Sequence, residues 1–270
     1  MGKSKEYKEK YEIAKKEYLK GYESLTSICK KFKIDRGTFS SNLKSDGIEI
    51  VNKQNIAKFN EKIFDVIDTE EKAYWLGFLY ADGYVESGNR NTIELSLKSS
   101  DIEHLKKFSS FLGFDNNKHI FQDEIRCRFY FSNKKVKNRL ISLGCIPQKS
   151  LVLKFPSEEQ VPRELIRHFI RGYVDGDGSL MLGKNHLGEY VKPRLNILGT
   201  ENFLKGILDV TGWRKLKIQH PSNAYCIEWS GFYVKDYLDF LYKDSTIYLD
   251  RKYNKYLKIT NIFADYKSRN

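Results

Sequence analysis

Cysteine is scarce in this sequence and carries no pattern. Cys29, Cys127, Cys145 and Cys226 stand at no paired spacing among 270 residues, which argues against a zinc ribbon or a disulfide framework and for a reducing compartment. Histidine is just as sparse. His104, His119, His168, His186 and His220 are isolated from one another along the chain, so no His/Cys constellation competes for zinc. No apolar run approaches the roughly 20 residues that span a bilayer, and the opening Met1-Gly2-Lys3-Ser4-Lys5 leads into charge rather than an apolar leader. The expectation is a soluble, cytoplasmic protein with no membrane partner. Acidic charge is in deficit: 47 Lys and Arg stand against 35 Asp and Glu, a net +12, which favours a polyanionic partner. Residues 1–60 hold 14 of the basic and 8 of the acidic residues, about half of that excess. The abundance of Lys, Asn, Ile and Tyr suggests AT-rich coding DNA of the bacterial or phage kind.

Within that basic segment, residues 8–20 read as an amphipathic helix with Tyr11, Ala14, Tyr18 and Leu19 on one side. A second helix over 25–32 presents Leu25, Ile28, Cys29 and Phe32. Asp35 is a plausible N-cap for a third, from Arg36 to about Lys44, with Phe39 and Leu43 inward and Gly47 ending it. Three short helices with a tight turn between the last two resemble a helix-turn-helix. The third would then offer Arg36, Thr38, Ser40, Ser41, Asn42 and Lys44 to a DNA groove, with Arg36 and Asn42 as bidentate base readers. The turn position where Gly is usual is Lys33, and a side chain at positive φ costs about 1 kcal/mol.

The remainder is organised by a duplication. Trp75-Leu76-Gly77-Phe78-Leu79-Tyr80-Ala81-Asp82-Gly83 and Ile170-Arg171-Gly172-Tyr173-Val174-Asp175-Gly176-Asp177-Gly178 are apolar helical runs that both end in Asp-Gly, with the acids 95 residues apart. Similar patterns follow each, giving the order αββαββα twice. The echo reaches detail, since Phe131-Ser132 with Val136 returns as Trp229-Ser230 with Val234. The strands alternate as a half-solvated antiparallel sheet requires: Arg126, Arg128 and Tyr130 interleave with Cys127, Phe129 and Phe131, and Lys215, Lys217 and Gln219 with Leu216, Ile218 and His220. One face is apolar; the other is basic and suits a DNA groove, with Lys98 and Arg194 on neighbouring strands as further candidates.

Gly after a helix-terminal Asp has an ordinary explanation as a C′ residue. A carboxylate there nevertheless opposes the helix dipole by about 0.3–1 kcal/mol, and two held close repel. Doing this twice suggests a divalent cation that offsets the cost. Gly77 and Ala81 share a face of one helix, as Gly172 and Gly176 do of the other. Such small residues let the helices approach and bring Asp82 and Asp177 to one site. Hard carboxylate oxygens suit Mg²⁺.

The two motifs and the αββαββα units resemble the LAGLIDADG homing endonucleases in their single-chain, two-motif form, over roughly residues 70–260. Trp75 and Tyr80 depart from the motif in the first copy, Arg171 and Tyr173 in the second. The resemblance implies a monomeric, site-specific double-strand DNA endonuclease using two or three Mg²⁺ ions, for which Mn²⁺ substitutes. Asp82 and Asp177 become the metal ligands, helped by the carbonyls of Ala81 and Gly176. Family members place a basic residue near each site after the last helix of each unit, which points to Lys149 and Lys252. The expected fold class is α+β: two pseudo-symmetric αββαββα units, residues 69–155 and 156–270, forming a DNA-binding saddle, preceded by a small all-α helix-turn-helix domain over 1–47 and a linker over 48–68. Alternatives on the same fold are a transcription regulator, which would be expected to lose the acids, and an RNA-splicing maturase, which would add intron RNA as a partner. An intein is disfavoured, since Met1 supplies no nucleophile and the end lacks a penultimate His.

Overall fold

The computed structural model describes residues 2–19, 25–48, 50, 59–114, 119–149, 152–183, 192–213 and 225–269. The chain forms two compact units, Met1–Phe59 and Asn60–Asn270.

The first unit holds helices α1 (Gly2–Leu19), α2 (Leu25–Phe32) and α3 (Arg36–Ser45). Tyr11, Ala14, Tyr18, Ile28, Phe39 and Leu43 form its core, with the Tyr11 and Phe39 rings edge to face at 5.6 Å. Leu19, expected inward, is exposed, because it stands one step of about 100° around the helix from the buried Tyr18. Asp35 caps α3 by accepting from the Thr38 amide at 2.8 Å. Between α2 and α3 the chain turns through Lys33 at φ 49°. Ile34 N donates to Cys29 O and Lys33 N to Lys30 O, the paired bonds that close a helix around a left-handed residue. Lys33→Gly relieves that conformation and raises the stability of this unit by up to about 1 kcal/mol, readable as a shift of its urea midpoint.

In the second unit, α4 (Glu70–Asp82) runs directly into β1 (Gly83–Val85), followed by β2 (Thr92–Lys98), α5 (Ile102–Phe111), β3 (Ile120–Gln122), β4 (Arg126–Ser132) and α6 (Lys134–Ser142). The order then repeats: α7 (Ile166–Asp177), β5 (Gly178–Met181), β6 (Arg194–Gly199), α8 (Glu201–Thr211), β7 (Tyr225–Ser230) and α9 (Phe232–Tyr242), with α10 (Asp250–Arg269) closing the chain. The first sheet is antiparallel in the order β1-β2-β4-β3; the second, over the described residues, is β5-β6-β7. The strand read over Lys215–His220 lies outside the described residues.

Registers make the two halves superposable in sequence terms. Gly83 faces Leu95, which faces Phe129; Gly178 faces Ile197, which faces Ile227. The alternation holds: β4 buries Cys127, Phe129 and Phe131 and exposes Arg126, Arg128 and Tyr130. The helix of the second motif begins as a short 3₁₀ turn over Arg163–Leu165 and becomes α-helical at Ile166. The twenty-residue α10 is the one large element that the sequence pattern did not announce.

Candidate active site

Among the described elements, helices α4 and α7 pack most closely, and glycine is the reason. A Cβ built on Gly77 falls 2.0 Å from Phe169 O, and one on Gly172 falls 1.9 Å from Tyr74 O. Further along, a Cβ on Gly176 lies 2.3 Å from Ala81 Cβ and 3.2 Å from Asp82 Oδ2. The small stripe thus brings the two helix C-termini together, and the two acids with them.

The glycines after the acids work differently from a C′ turn. Gly83 (φ −71°, ψ 139°) and Gly178 (φ −79°, ψ 149°) are extended, not left-handed. Each begins a strand while its N–H still donates to the carbonyl four residues back, Leu79 O and Val174 O. A Cβ at either position would sit 2.5 Å from that same carbonyl. Asp-Gly is therefore a splice from helix to strand with no loop, fixing each acid at the junction.

Asp82 opens onto a cavity of about 530 Å³ shared with Ser96, Lys98, Asp101, Arg126, Gly176 and Arg251. Restricted hydration and the charge of Asp177 push its pKa up to about 6, against Lys252, Lys149 and Arg251. Burial also raises Asp177, opposed by Lys149, Lys252 and the Tyr173 hydroxyl. Two carboxylates so placed disfavour simultaneous ionisation unless a cation joins them.

Both nominated lysines reach this place, and symmetrically. Lys149 Nζ donates to Gly83 O, and Lys252 Nζ to Gly178 O. Lys252, at the first turn of α10, also takes the Val174 and Asp175 carbonyls, the latter at 2.8 Å. It is buried, and desolvation draws its pKa down to about 8 against the attraction of Asp175. The lysines hold the helix-to-strand splices through their carbonyls while placing positive charge beside the acids.

Four residues at this junction were not foreseen as functional. Asp101, the residue before α5, makes no side-chain cap bond; its carboxylate accepts from Arg251 Nε at 3.0 Å. Arg251 sits beside the nominated Lys252, and that adjacency was the only signal. Arg171, a departure from the motif, is fully buried and donates to Ile247 O, Leu241 O and Glu70 Oε1. Asp175 accepts from Tyr74 Oη, Tyr242 Oη and Leu249 N, tying α7 to the start of α10. At the matching motif position of the first half Tyr80 reverses the polarity, its hydroxyl donating to Leu143 O.

Tyr74 Oη lies 3.0 Å from His104 Nε2, whose ring is enclosed by Trp75 and Phe78. Burial, with Lys107 and Arg251 nearby, lowers the His104 pKa to about 3. The sign follows from proton counting: between that value and the ordinary 6.5, only the unfolded chain binds the proton, so stability falls as pH falls. The raised carboxylates move the other way, so the comparison is between variants. From pH 7 to pH 5 the wild type loses about 2 kcal/mol more stability than His104→Gln, measured by urea unfolding at both pH values.

Of the proposed DNA-facing residues, Lys98 and Arg126 are exposed cross-strand partners, Arg128 is exposed opposite Ser96, and Arg194 is exposed opposite Ser230. On α3, Arg36, Ser41 and Lys44 are exposed and Ser40 is half-buried. Thr38 is engaged with Asp35, its hydroxyl donating at 2.9 Å. Asn42 spends its amide on Tyr7 Oη at 3.0 Å, so Arg36 is the better placed of the two base-reading candidates. Lys215, Lys217 and Gln219 lie outside the described residues.

The donor chemistry fits a divalent cation. Asp82 and Asp177 supply hard oxygens, and Ala81 and Gly176 are among the last four carbonyls of their helices, which have no intrahelical donor. Among the described residues no cluster of three or more His, Cys, Asp or Glu side chains forms a fuller cage, so water and substrate oxygens would complete the shell.

No protein-family model and no curated protein matches the sequence. Among solved structures, the chain is similar to the LAGLIDADG homing endonuclease I-GzeII in complex with its DNA target, with TM-score 0.52 and 13% identity over 72% of this chain and 91% of that one. It is also similar to the meganuclease I-SmaMI bound to uncleaveable DNA, with TM-score 0.50 and 12% identity over 75% and 92%. The two-halved α+β architecture is the single-chain LAGLIDADG fold.

Proposed function

We propose that the chain is a site-specific double-strand DNA endonuclease that hydrolyses phosphodiesters with a divalent cation, one acid serving from each half. The observation that supports this most is the acid pair itself: Asp82 and Asp177 delivered to one point by the Gly77–Ala81 and Gly172–Gly176 stripes. Retention of both acids weighs against a regulator that only binds. The chain's own groups divide the work. Asp82 and Asp177, with the Ala81 and Gly176 carbonyls, would hold Mg²⁺, or Mn²⁺ in its place. The bound cation activates water and neutralises charge on the leaving oxygen. Lys149 and Lys252 keep the acids in position through the Gly83 and Gly178 carbonyls and lend charge to the phosphate as negative charge builds on it.

Recognition rests on the alternating basic faces, through Lys98, Arg126, Arg128 and Arg194, with α3 of the first unit adding contacts from Arg36 and Lys44 in the manner of a helix-turn-helix. Selection of cut sites from a randomised duplex library, in Mg²⁺ and in EDTA, tests the reading. Double-strand cuts at one sequence, present in Mg²⁺ and absent in EDTA, are the expected result. Specific binding of DNA or RNA with no cleavage would favour the regulator or maturase alternative.

A further inference from the structure

The open face of the first sheet changes character along its strands. By register, its rows run Lys98–Arg126, Ser96–Arg128, Tyr84–Glu94–Tyr130 and Thr92–Ser132. The row beside the Asp82 cavity holds two cations and the next holds one. The third holds none, and sets a carboxylate between two tyrosines. Glu94 alternates with the buried Ile93 and Leu95, so it projects from the same face as the exposed Tyr84 and Tyr130.

Phe121 of β3 adds to this surround. Its ring stacks on that of Tyr130, with centroids 5.1 Å apart and planes 13° from parallel, and it too is exposed. Glu94 is half-buried, and among the described residues no cation or hydrogen-bond donor engages its carboxylate. A carboxylate on a face that meets a polyanion repels it, and three exposed rings leave apolar surface in water. Both features are accounted for if this row meets base edges rather than phosphates.

Resting on the endonuclease reading, we infer that Glu94 is a specificity-determining residue: its carboxylate accepts a hydrogen bond from the exocyclic amino group of a cytosine in the major groove, while Tyr84, Tyr130 and Phe121 cover the neighbouring bases. Cytosine is the base that fits. Its major-groove edge offers an amino donor and no acceptor, whereas adenine sets an acceptor beside its amino group, and guanine and thymine present acceptors only. The second carboxylate oxygen is therefore repelled at adenine and not at cytosine. The rings keep water from the pair, which strengthens the bond, and their apolar surface suits adjacent thymine methyl groups. The row stands two residues along β2 from Ser96, about 7 Å, clear of the cations that meet phosphates beside the acid.

The test uses the full chain and selection of bound duplexes from a randomised library in EDTA, which keeps cleavage out of the readout. The wild type selects cytosine at one position, and Glu94→Ala discriminates against other bases there about tenfold less, with its remaining positions unchanged. A second readout probes the amino group itself. Replacing that cytosine by pyrimidin-2-one, which lacks the group, weakens binding about tenfold for the wild type and less than about twofold for Glu94→Ala. Each value compares two duplexes on one protein, so a folding or general binding defect cancels. A cytosine preference that survives Glu94→Ala, or a variant that only tightens binding to every sequence alike, would overturn the inference and leave the endonuclease reading intact. Relaxation at a position not held by cytosine would do the same. A wild type that binds no sequence in preference to others would overturn both.

Discussion

Gly172→Ala is expected to destabilise the second unit by about 3 kcal/mol or more, a loss large enough to leave it marginally folded. In an exposed helix the same change stabilises by up to about 1 kcal/mol. Here the added methyl lands 1.9 Å from Tyr74 O and 2.9 Å from Phe78 N, both parts of the backbone of a helix that cannot give way locally. Relief requires α4 and α7 to separate, which also disturbs the Tyr74–Asp175 and Arg171–Glu70 bonds across their interface. Gly77→Ala meets Phe169 O in the same way and should behave alike. Urea unfolding followed by circular dichroism measures the change; a loss below about 0.5 kcal/mol would mean the helices are less tightly apposed.

The second large effect is on chemistry. Asp82→Asn or Asp177→Asn should reduce double-strand cleavage by about a thousandfold or more, while binding to the cut site changes by less than about threefold. The asparagine side chain is nearly the same shape, so the glycine stripe and the lysine-held splices remain. What is removed is one of two anionic oxygens sets offered to a cation. Binding by the basic sheet faces does not depend on either acid and should persist, or tighten slightly as the negative charge falls. Gel-shift affinity measured alongside single-turnover cleavage separates the two. Either variant cutting both strands at the wild-type rate would remove these acids from the mechanism.

Much of this arrangement was legible in the residues because it is repeated. One Asp-Gly after a helix is a common turn, but two with matched small residues upstream imply a shared geometry. The alternation of Arg126, Arg128 and Tyr130 with Cys127, Phe129 and Phe131 was legible and holds in β4, since a period of two is a strong local signal. The reason for the glycines was not legible. Sequence pattern suggested a left-handed cap at Gly83 and Gly178, whereas close approach to a carbonyl is what demands them, and no local pattern distinguishes these causes. Helix α10 escaped because Asp250–Arg269 is rich in Lys, Asp and Tyr and shows no clean apolar stripe; tertiary bonds from Lys252 and Arg251 anchor its start. Arg171 read only as a departure from the motif, and a buried arginine is costly unless it is paired. The carbonyls of Leu241 and Ile247 and the Glu70 carboxylate that satisfy it lie far away in sequence. Asp101 gave no functional signal for the same reason: its partner Arg251 is 150 residues distant.

The central claim is that the junction of α4 and α7 is where the cation and the reacting phosphates meet. An anomalous-scattering map from crystals of the chain bound to its cut site in Mn²⁺ tests this most directly. The account predicts manganese peaks within coordinating distance of both Asp82 and Asp177, with DNA phosphate oxygens in the same shell, and no such peaks at that junction for the Asp82→Asn/Asp177→Asn double variant. Peaks only elsewhere on the molecule, or phosphates held away from both acids, would contradict it.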